Sequence, residues 1–232
     1  MKKVVLDGGH GGADSGAVGN GLREKDFTLR LALETERELL AGWQVEVILT
    51  RRTDVFVSIA NRSSFGRGAD LFVSQHLDWN ASAAPRGFWT WRNTYIRPET
   101  PVYQKAIHDE TYKAIQPMGA PDRGLRVANH DITRLPPCPT VLIEYLFISN
   151  PADAAILRNT QNITAMAKGT AMGIAQALRL SEKIPQPPID PNLFWRVVVG
   201  SYNDPVTAAR VVDEAKAKGF KDAFLLPFRR GE

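Results

Sequence analysis

The chain holds a single cysteine, Cys138, so no intramolecular disulfide can form, and it has no CxxC pair or Cys/His cluster to build a structural zinc site. Any resident metal must therefore be held by histidine and carboxylate. No apolar run approaches the roughly eighteen residues of a membrane-spanning helix, and the N-terminus enters a strand almost at once without an apolar signal segment. These absences predict a protein made in the cytoplasm, not anchored in a membrane, that acts outside the cell only after release or lysis. The net charge is +4 with no long Lys/Arg run, a mild basic excess that would suit an anionic polymer such as nucleic acid or bacterial wall without arguing strongly for either. With 232 residues, 44% of them hydrophobic and 23% charged, the chain can bury a full core and has room for one main domain plus something small.

What is abundant is glycine near the start. The segment VVLDGGHGGADSGAVGNGLREKD, Val4 to Asp26, runs from a short β-branched strand into a glycine-rich loop and then into charged residues that open a helix. No GxGxxG and no GK[ST] can be read in it, which disfavours a phosphate cradle. His10 stands where the strand stops and Glu24 where the helix begins, so a loop that folds back brings an imidazole and a carboxylate together as half of a metal site.

Downstream, the spacing predicts a helix over Glu24 to Gly42 with Phe27, Leu29, Leu31, Leu33 and Leu40 on or near one face, then a strand over Trp43 to Thr50. A helix over Arg51 to Gly68 and a strand over Ala69 to His76 follow. Asp78 to Pro101 reads as irregular, with a hairpin through Gly87 to Tyr95. Val102 to Gln116 reads as a helix, Gly119 to Pro139 as a long polar loop, Thr140 to Phe147 as a strand buried on both faces, and Ala152 to Leu180 as one or two helices. Such alternation predicts an α/β fold: a mostly parallel twisted sheet with helices on both faces.

On that scaffold His10 ends the first strand, His76 ends the third, and Glu144 lies late in the apolar strand. Ligand sites in open α/β sheets lie outside the carboxyl ends of the strands, so separate segments deliver His, His and Glu to one edge. Glu24 makes the set two histidines and two glutamates, one carboxylate more than a His₂Glu zinc site requires. The spare carboxylate would take a proton from water and pass it to a leaving amine. Arg51, at the end of the second strand, reads as half of a surface ion pair, with a reach towards the site edge as the alternative; His108 reads as structural, and Cys138 as inert. Trp79, Trp89 and Trp91 suit a groove or the core equally.

Together these motifs resemble the zinc-dependent N-acetylmuramoyl-L-alanine amidases of the amidase-3 family, which includes spore-associated wall hydrolases and phage endolysins. LDGGHGGADSGAVGNGLREKD, LTRRTDVFVSIANR, ADLFVSQH and DRGLRVANHDITRLPPCPTVLIEYLFISNP follow in the family's order over roughly residues 3 to 180. The resemblance implies that His10, Glu24 and His76 bind Zn²⁺ and that Glu144 is the catalytic glutamate. Peptidoglycan is the implied partner, with neither nucleic acid nor membrane, and the implied reaction is hydrolysis of the amide between N-acetylmuramic acid and L-alanine, degrading the cell wall. Asp78, Trp79, Arg126 and His130 are the candidate substrate-binding residues. Where the family has a small residue, Asn and a small residue after the second histidine, this chain has Leu77-Asp78-Trp79, which bears on the groove and not on the metal. A zinc peptidase on the same scaffold and a non-catalytic wall-binding protein are the alternatives.

The composition changes after the catalytic domain, residues 1–180. Residues 181–192 are polar and proline-rich and read as a linker. In residues 193–232 a strand over Val197 to Gly200, a helix over Pro205 to Lys218 and a strand over Ala223 to Phe228 form a small βαβ-like unit that resembles half of a SPOR module. Such a unit is too small to cover its own apolar surface, which predicts wall binding or a homodimer through residues 193–232.

Overall fold

A computed structural model describes residues 1–95, 97–183 and 200–225 of the chain. It divides into two compact units, Met1–Ile184 and Pro185–Glu232. Within the first, β1 (Lys2–Gly8) leads through a small antiparallel pair, β2 (Val18–Gly19) and β3 (Leu22–Arg23), into α1 (Glu24–Gly42). Next come β4 (Val45–Leu49), α2 (Ile59–Ser64), β5 (Leu71–Asp78), β6 (Phe88–Arg92) and α3 (Thr100–Ile115). The unit ends with β7 (Asp122–Val127), α4 (Asp131–Arg134), β8 (Thr140–Phe147), α5 (Pro151–Arg158) and α6 (Thr160–Leu178).

Six strands form one sheet in the order β4-β1-β5-β8-β6-β7, parallel throughout except where β6 runs against β8. The predicted α/β class is therefore observed. Two details differ from the sequence reading. Phe88–Arg92 forms no hairpin: it lies between β8 and a strand, Asp122–Val127, that falls in the segment expected to be loop. The helix expected over Arg51 to Gly68 is confined to Ile59–Ser64, because Arg51 to Ser58 is an extended approach that wraps the glycine loop.

The two faces of the sheet are covered unequally. Val4, Leu6, Leu71, Val73, Val141 and Ile143 point into the main core, closed by α1, α3 and α6. The last helix buries Ile163, Ala167, Ala171, Ile174 and Leu178 as its spacing predicts. It approaches α3 closely, since a Cβ on Gly173 would lie 2.6 Å from the Cα of Ile107. Of the expected apolar face of α1, Leu31 is buried and Phe27 and Leu33 pack partly buried against the core, while Leu40 is exposed; Leu39 and the polar Glu24, Thr28 and Thr35 complete the buried stripe, because the first turn serves the site described below. The opposite face has only a small cluster of Val5, Phe72 and Cys138, with Ile132 of α4 against it.

That thinner side is held by polar pairing. Asp7, fully buried in β1, accepts hydrogen bonds from Thr50 Oγ1 (2.6 Å), Ser74 Oγ (2.7 Å) and Arg62 Nη1 (2.6 Å). Arg62 also donates to the carbonyls of Gly8, His10 and Val57. Arg51 is not the surface ion pair expected of it. It is 3% exposed and donates to the carbonyls of Gly8, Gly9, Lys25 and Thr53 and to Thr28 Oγ1. Two buried guanidiniums thus fix the backbone of the loop that starts at Gly8, where a peptide scaffold alone would leave those carbonyls unpaired.

In the second unit, α7 (Pro205–Ala217) starts at Asp204, whose carboxylate accepts from the N–H groups of Val206 and Thr207. Ala208, Val211, Val212 and Ala215 form its half-buried face. The linker beyond residue 183 and most of the expected flanking strands lie outside the described residues, and Ala223 to Leu225 carry no strand. Among the described residues no helix is long and apolar enough to cross a membrane.

Replacing Asp7 by Ala leaves Arg62 buried and uncompensated, and is expected to cost about 3–5 kcal/mol in chemical denaturation. A loss below about 1 kcal/mol would show that the pair is not what holds this face.

Candidate metal centre

Three elements meet at the carboxyl edge of β1 and β5. His10 leaves β1 with φ 60°, a left-handed conformation rare for a side-chain-bearing residue, which turns its imidazole back toward α1. Glu24 opens α1, and His76 comes from β5. Their ligating atoms all lie within 4.8 Å of one another, the one such group among the described residues able to hold a metal ion. The Glu24 carboxylate sits between the rings: Oε2 is 3.2 Å from His10 Nε2 and Oε1 is 2.9 Å from His76 Nδ1. The backbone N–H groups of Ala17 (2.8 Å) and Leu77 (3.0 Å) donate to the same two oxygens. Asp14 then accepts from the far side of His10, with Oδ2 2.9 Å from Nδ1.

Glycine is required around this group by contact as well as by conformation. A Cβ on Gly9 would lie 2.2 Å from the His76 ring, and one on Gly16 2.6 Å from both Glu24 Oε2 and His10. Gly16 also has φ 61°, so a substituted side chain there would be strained twice. The motif's glycines are the negative image of the His10, Glu24 and His76 side chains.

The electrostatics follow from one shared carboxylate. Burial works to raise the Glu24 pKa, but hydrogen bonds from His10 and His76 outweigh it and hold the carboxyl well below its usual range. Burial likewise opposes charge on His10, and Glu24 and Asp14 override it to push the imidazole up. Glu144 lies in register with His76 across the β5–β8 pair, at the usual inter-strand spacing of about 4.8 Å. Burial, followed by the neighbouring Glu24 and Asp78 carboxylates, raises its pKa well above the ordinary value. Its Oε2 is buried without a hydrogen-bond partner. Two imidazoles and a carboxylate form a nitrogen/oxygen donor set of the kind that binds zinc, and the orphaned oxygen of Glu144 beside it fits a fourth group left free for chemistry.

The remaining candidates fall on the thinly covered side of the sheet. Asp78 ends β5, and burial raises its pKa. Trp79 is 50% exposed just beyond it. Arg126 on β7 places its guanidinium 5.8 Å from the Trp89 ring, and His130, at the start of α4, meets Trp91 edge-on at 5.1 Å. His130 is held below its ordinary pKa by burial and by the charge of His76. His108 belongs to the other face, bonded to Thr90 and Asp122, and has a structural place there. Sequence reasoning passed over Arg123, whose guanidinium lies 4.1 Å over Trp89; its strand carries too much charge to read as one.

Residues 4–176 match the Amidase_3 family, N-acetylmuramoyl-L-alanine amidase. The endolysin of Bacillus phage SPP1 is 41% identical over 188 residues, covering 79% of this chain and 69% of that protein. A sporulation-specific N-acetylmuramoyl-L-alanine amidase of Bacillus subtilis (strain 168) is 34% identical over 229 residues, 97% of this chain and 85% of the relative. Among solved structures, the catalytic domain of CwlV, an N-acetylmuramoyl-L-alanine amidase from Bacillus (Paenibacillus) polymyxa var. colistinus, superposes with a TM-score of 0.72 at 34% identity, over 78% of this chain and all of that domain. These matches define a hydrolase, and the edge of its sheet carries a His/Glu cluster able to hold a metal ion. The chain belongs to the Amidase_3 family of N-acetylmuramoyl-L-alanine amidases, enzymes of the bacterial cell wall.

Two outcomes follow from this geometry. Gly9→Ala is expected to weaken metal binding at least about ten-fold, because the methyl group displaces His76; unchanged affinity by calorimetric titration would refute the tight packing. In metal-stripped protein, Glu144→Gln is expected to raise Tm at neutral pH. The folded-state pKa of Glu144 is raised, so the native state loses stability as pH climbs above the ordinary carboxylate value, and the difference should vanish near about pH 4. A Tm gain of the same size at every pH would contradict it.

Proposed function

We propose that the chain is a zinc-dependent N-acetylmuramoyl-L-alanine amidase of lytic type, an endolysin or autolysin, with His10, Glu24 and His76 as metal ligands and Glu144 as general base and acid. The observation that carries this reading is the placement of Glu144 in register with His76, its Oε2 buried and unpaired beside the three clustered ligands. Bound there, zinc supplies a Lewis acid that polarises the scissile carbonyl and acidifies water.

The chain's own residues do the rest. Glu24 accepts from two backbone amides and both imidazoles, which fixes the three donors before any metal arrives. Asp14 holds His10 by its Nδ1, leaving Nε2 directed at the centre. Glu144 removes the proton from the attacking water and delivers it to the nitrogen of the L-alanine as the amide breaks. A carboxyl with raised proton affinity suits both transfers, since it must gain a proton in the first step and hold it until the second. Asp78, Trp79, Arg126 and His130 line the substrate groove in this reading. Residues 193–232 form a wall-binding or dimerising unit.

Purified protein is expected to release L-alanine amino termini from peptidoglycan without new reducing sugars, and o-phenanthroline should stop it. New reducing ends would point to a glycosidase; glycan binding without turnover would favour a binding protein. Glu144→Ala should keep stoichiometric zinc and lose at least about a hundred-fold in kcat, while His10→Ala and His76→Ala lose the metal as well. A near-normal rate for Glu144→Ala would overturn the assigned mechanism.

A further inference from the structure

The groove beside Glu144 carries two guanidinium groups, Arg123 and Arg126, that form no ion pair within 4.0 Å among the described residues, although the charge of Arg123 acts on the nearby Asp78 carboxylate. β6 alternates across the sheet: Thr90 points at His108 of α3, so Trp89 and Trp91 face the opposite side. In the antiparallel pairing of β6 with β8, Trp89 stands directly against Glu144, and cross-strand partners share a face. Trp89 is thus the neighbour of the general base on the open side of the sheet. Arg123, in the irregular step where β7 meets β6, lies 4.1 Å over the Trp89 ring and 5.0 Å from Phe147. Arg126 covers the same indole from 5.8 Å. Arg123 makes one long hydrogen bond, to the Arg86 carbonyl at 3.3 Å, and its Nε is buried without a partner. Arg126 is exposed, and among the described residues its guanidinium has no hydrogen-bond partner. An anion placed over this indole would meet both cations.

We propose that Arg123, Arg126 and Trp89 form a subsite for a carboxylate of the stem peptide, and that it fixes which way the substrate lies in the groove. The proposal rests on the amidase reading. The lactyl group carries the only carboxyl of N-acetylmuramic acid, and that carboxyl is consumed in the scissile amide. Every free carboxylate near the cut therefore belongs to the peptide. An arginine pair on the β6–β7 side of Glu144 accordingly places the leaving peptide over Trp89 and the sugar on the opposite side of the metal centre. Arg123, partly buried and stacked, positions the anion; Arg126, exposed at the rim, closes on it in a bidentate contact.

Three muropeptides test this: one with all stem carboxylates free, one amidated at the second residue and one amidated at the third. The wild-type chain is expected to show a KM about ten- to hundred-fold higher for one of the two amidated substrates, with kcat little changed, and the sensitive position identifies the carboxylate. Arg126→Gln should raise KM for the free acid to the amidated value and leave the amidated substrate unaffected, while Arg126→Lys restores part of the difference. Equal KM values for all three substrates, or an Arg126→Gln loss of the same size on each, would overturn the subsite. Calorimetry on the Glu144→Gln chain separates the two readings. If the wild-type chain cleaves none of the three substrates yet the Glu144→Gln chain binds the free acid more tightly than the amidated form, the amidase reading fails and the subsite stands; equal binding overturns the subsite whatever the activity.

Discussion

The buried carboxylate of Glu24 is the constraint on which the catalytic unit depends. It receives the two imidazoles and the backbone amides of Ala17 and Leu77, and so joins the glycine loop, the first helix and the third core strand at one point. A charge at this depth is tolerated only when every oxygen is engaged, and the glycines around it exist because no Cβ fits between the partners. Arg51 and Arg62 secure the loop from behind by taking its carbonyls. The stability of the loop and the readiness of the metal centre are one set of hydrogen bonds.

The unequal covering of the sheet leaves that cluster at the edge of an open face, where the proposed chemistry needs it. One face is sealed by three long helices whose small residues let them pack closely. The other is closed by short helices and a buried ion pair over β1 and β5, while Trp89, Trp91, Arg123 and Arg126 line it over β6 and β7. Glu144 stands between the two regimes, at the boundary of core and groove. Its unpaired oxygen costs about 1–3 kcal/mol where an apolar residue would cost nothing, a sacrifice of stability that a structural role does not explain.

Much of this was legible in the residues. The glycine loop, the terminal positions of His10 and His76 and the lone charge of Glu144 in an apolar strand carry their meaning in sequence, because a parallel sheet delivers its strand ends to one edge. β7 was not legible. DRGLRV is an edge strand with charged and exposed residues and with Gly124 at φ 81°, so neither alternation nor β-branching marks it. β6 was placed but mispaired, since its partners, β8 and β7, lie far along the chain and no hairpin turn follows it. Arg51 illustrates the limit from the other direction: an arginine after a strand reads as surface, and only the loop's unpaired carbonyls, a tertiary feature, bring it inside. The face of α1 was misjudged for a related reason, as its buried stripe is part polar where it meets the metal centre.

The central claim is that His10, Glu24 and His76 are the metal ligands and Glu144 is not. Crystals of the intact chain grown with zinc, with diffraction recorded on either side of the zinc absorption edge, test it directly. The account predicts one anomalous peak bounded by both imidazole rings and the Glu24 carboxylate, with the Glu144 oxygens outside ligating distance. A peak ligated by Glu144 in place of Glu24, or one that persists in full in the His76→Ala chain, would contradict it.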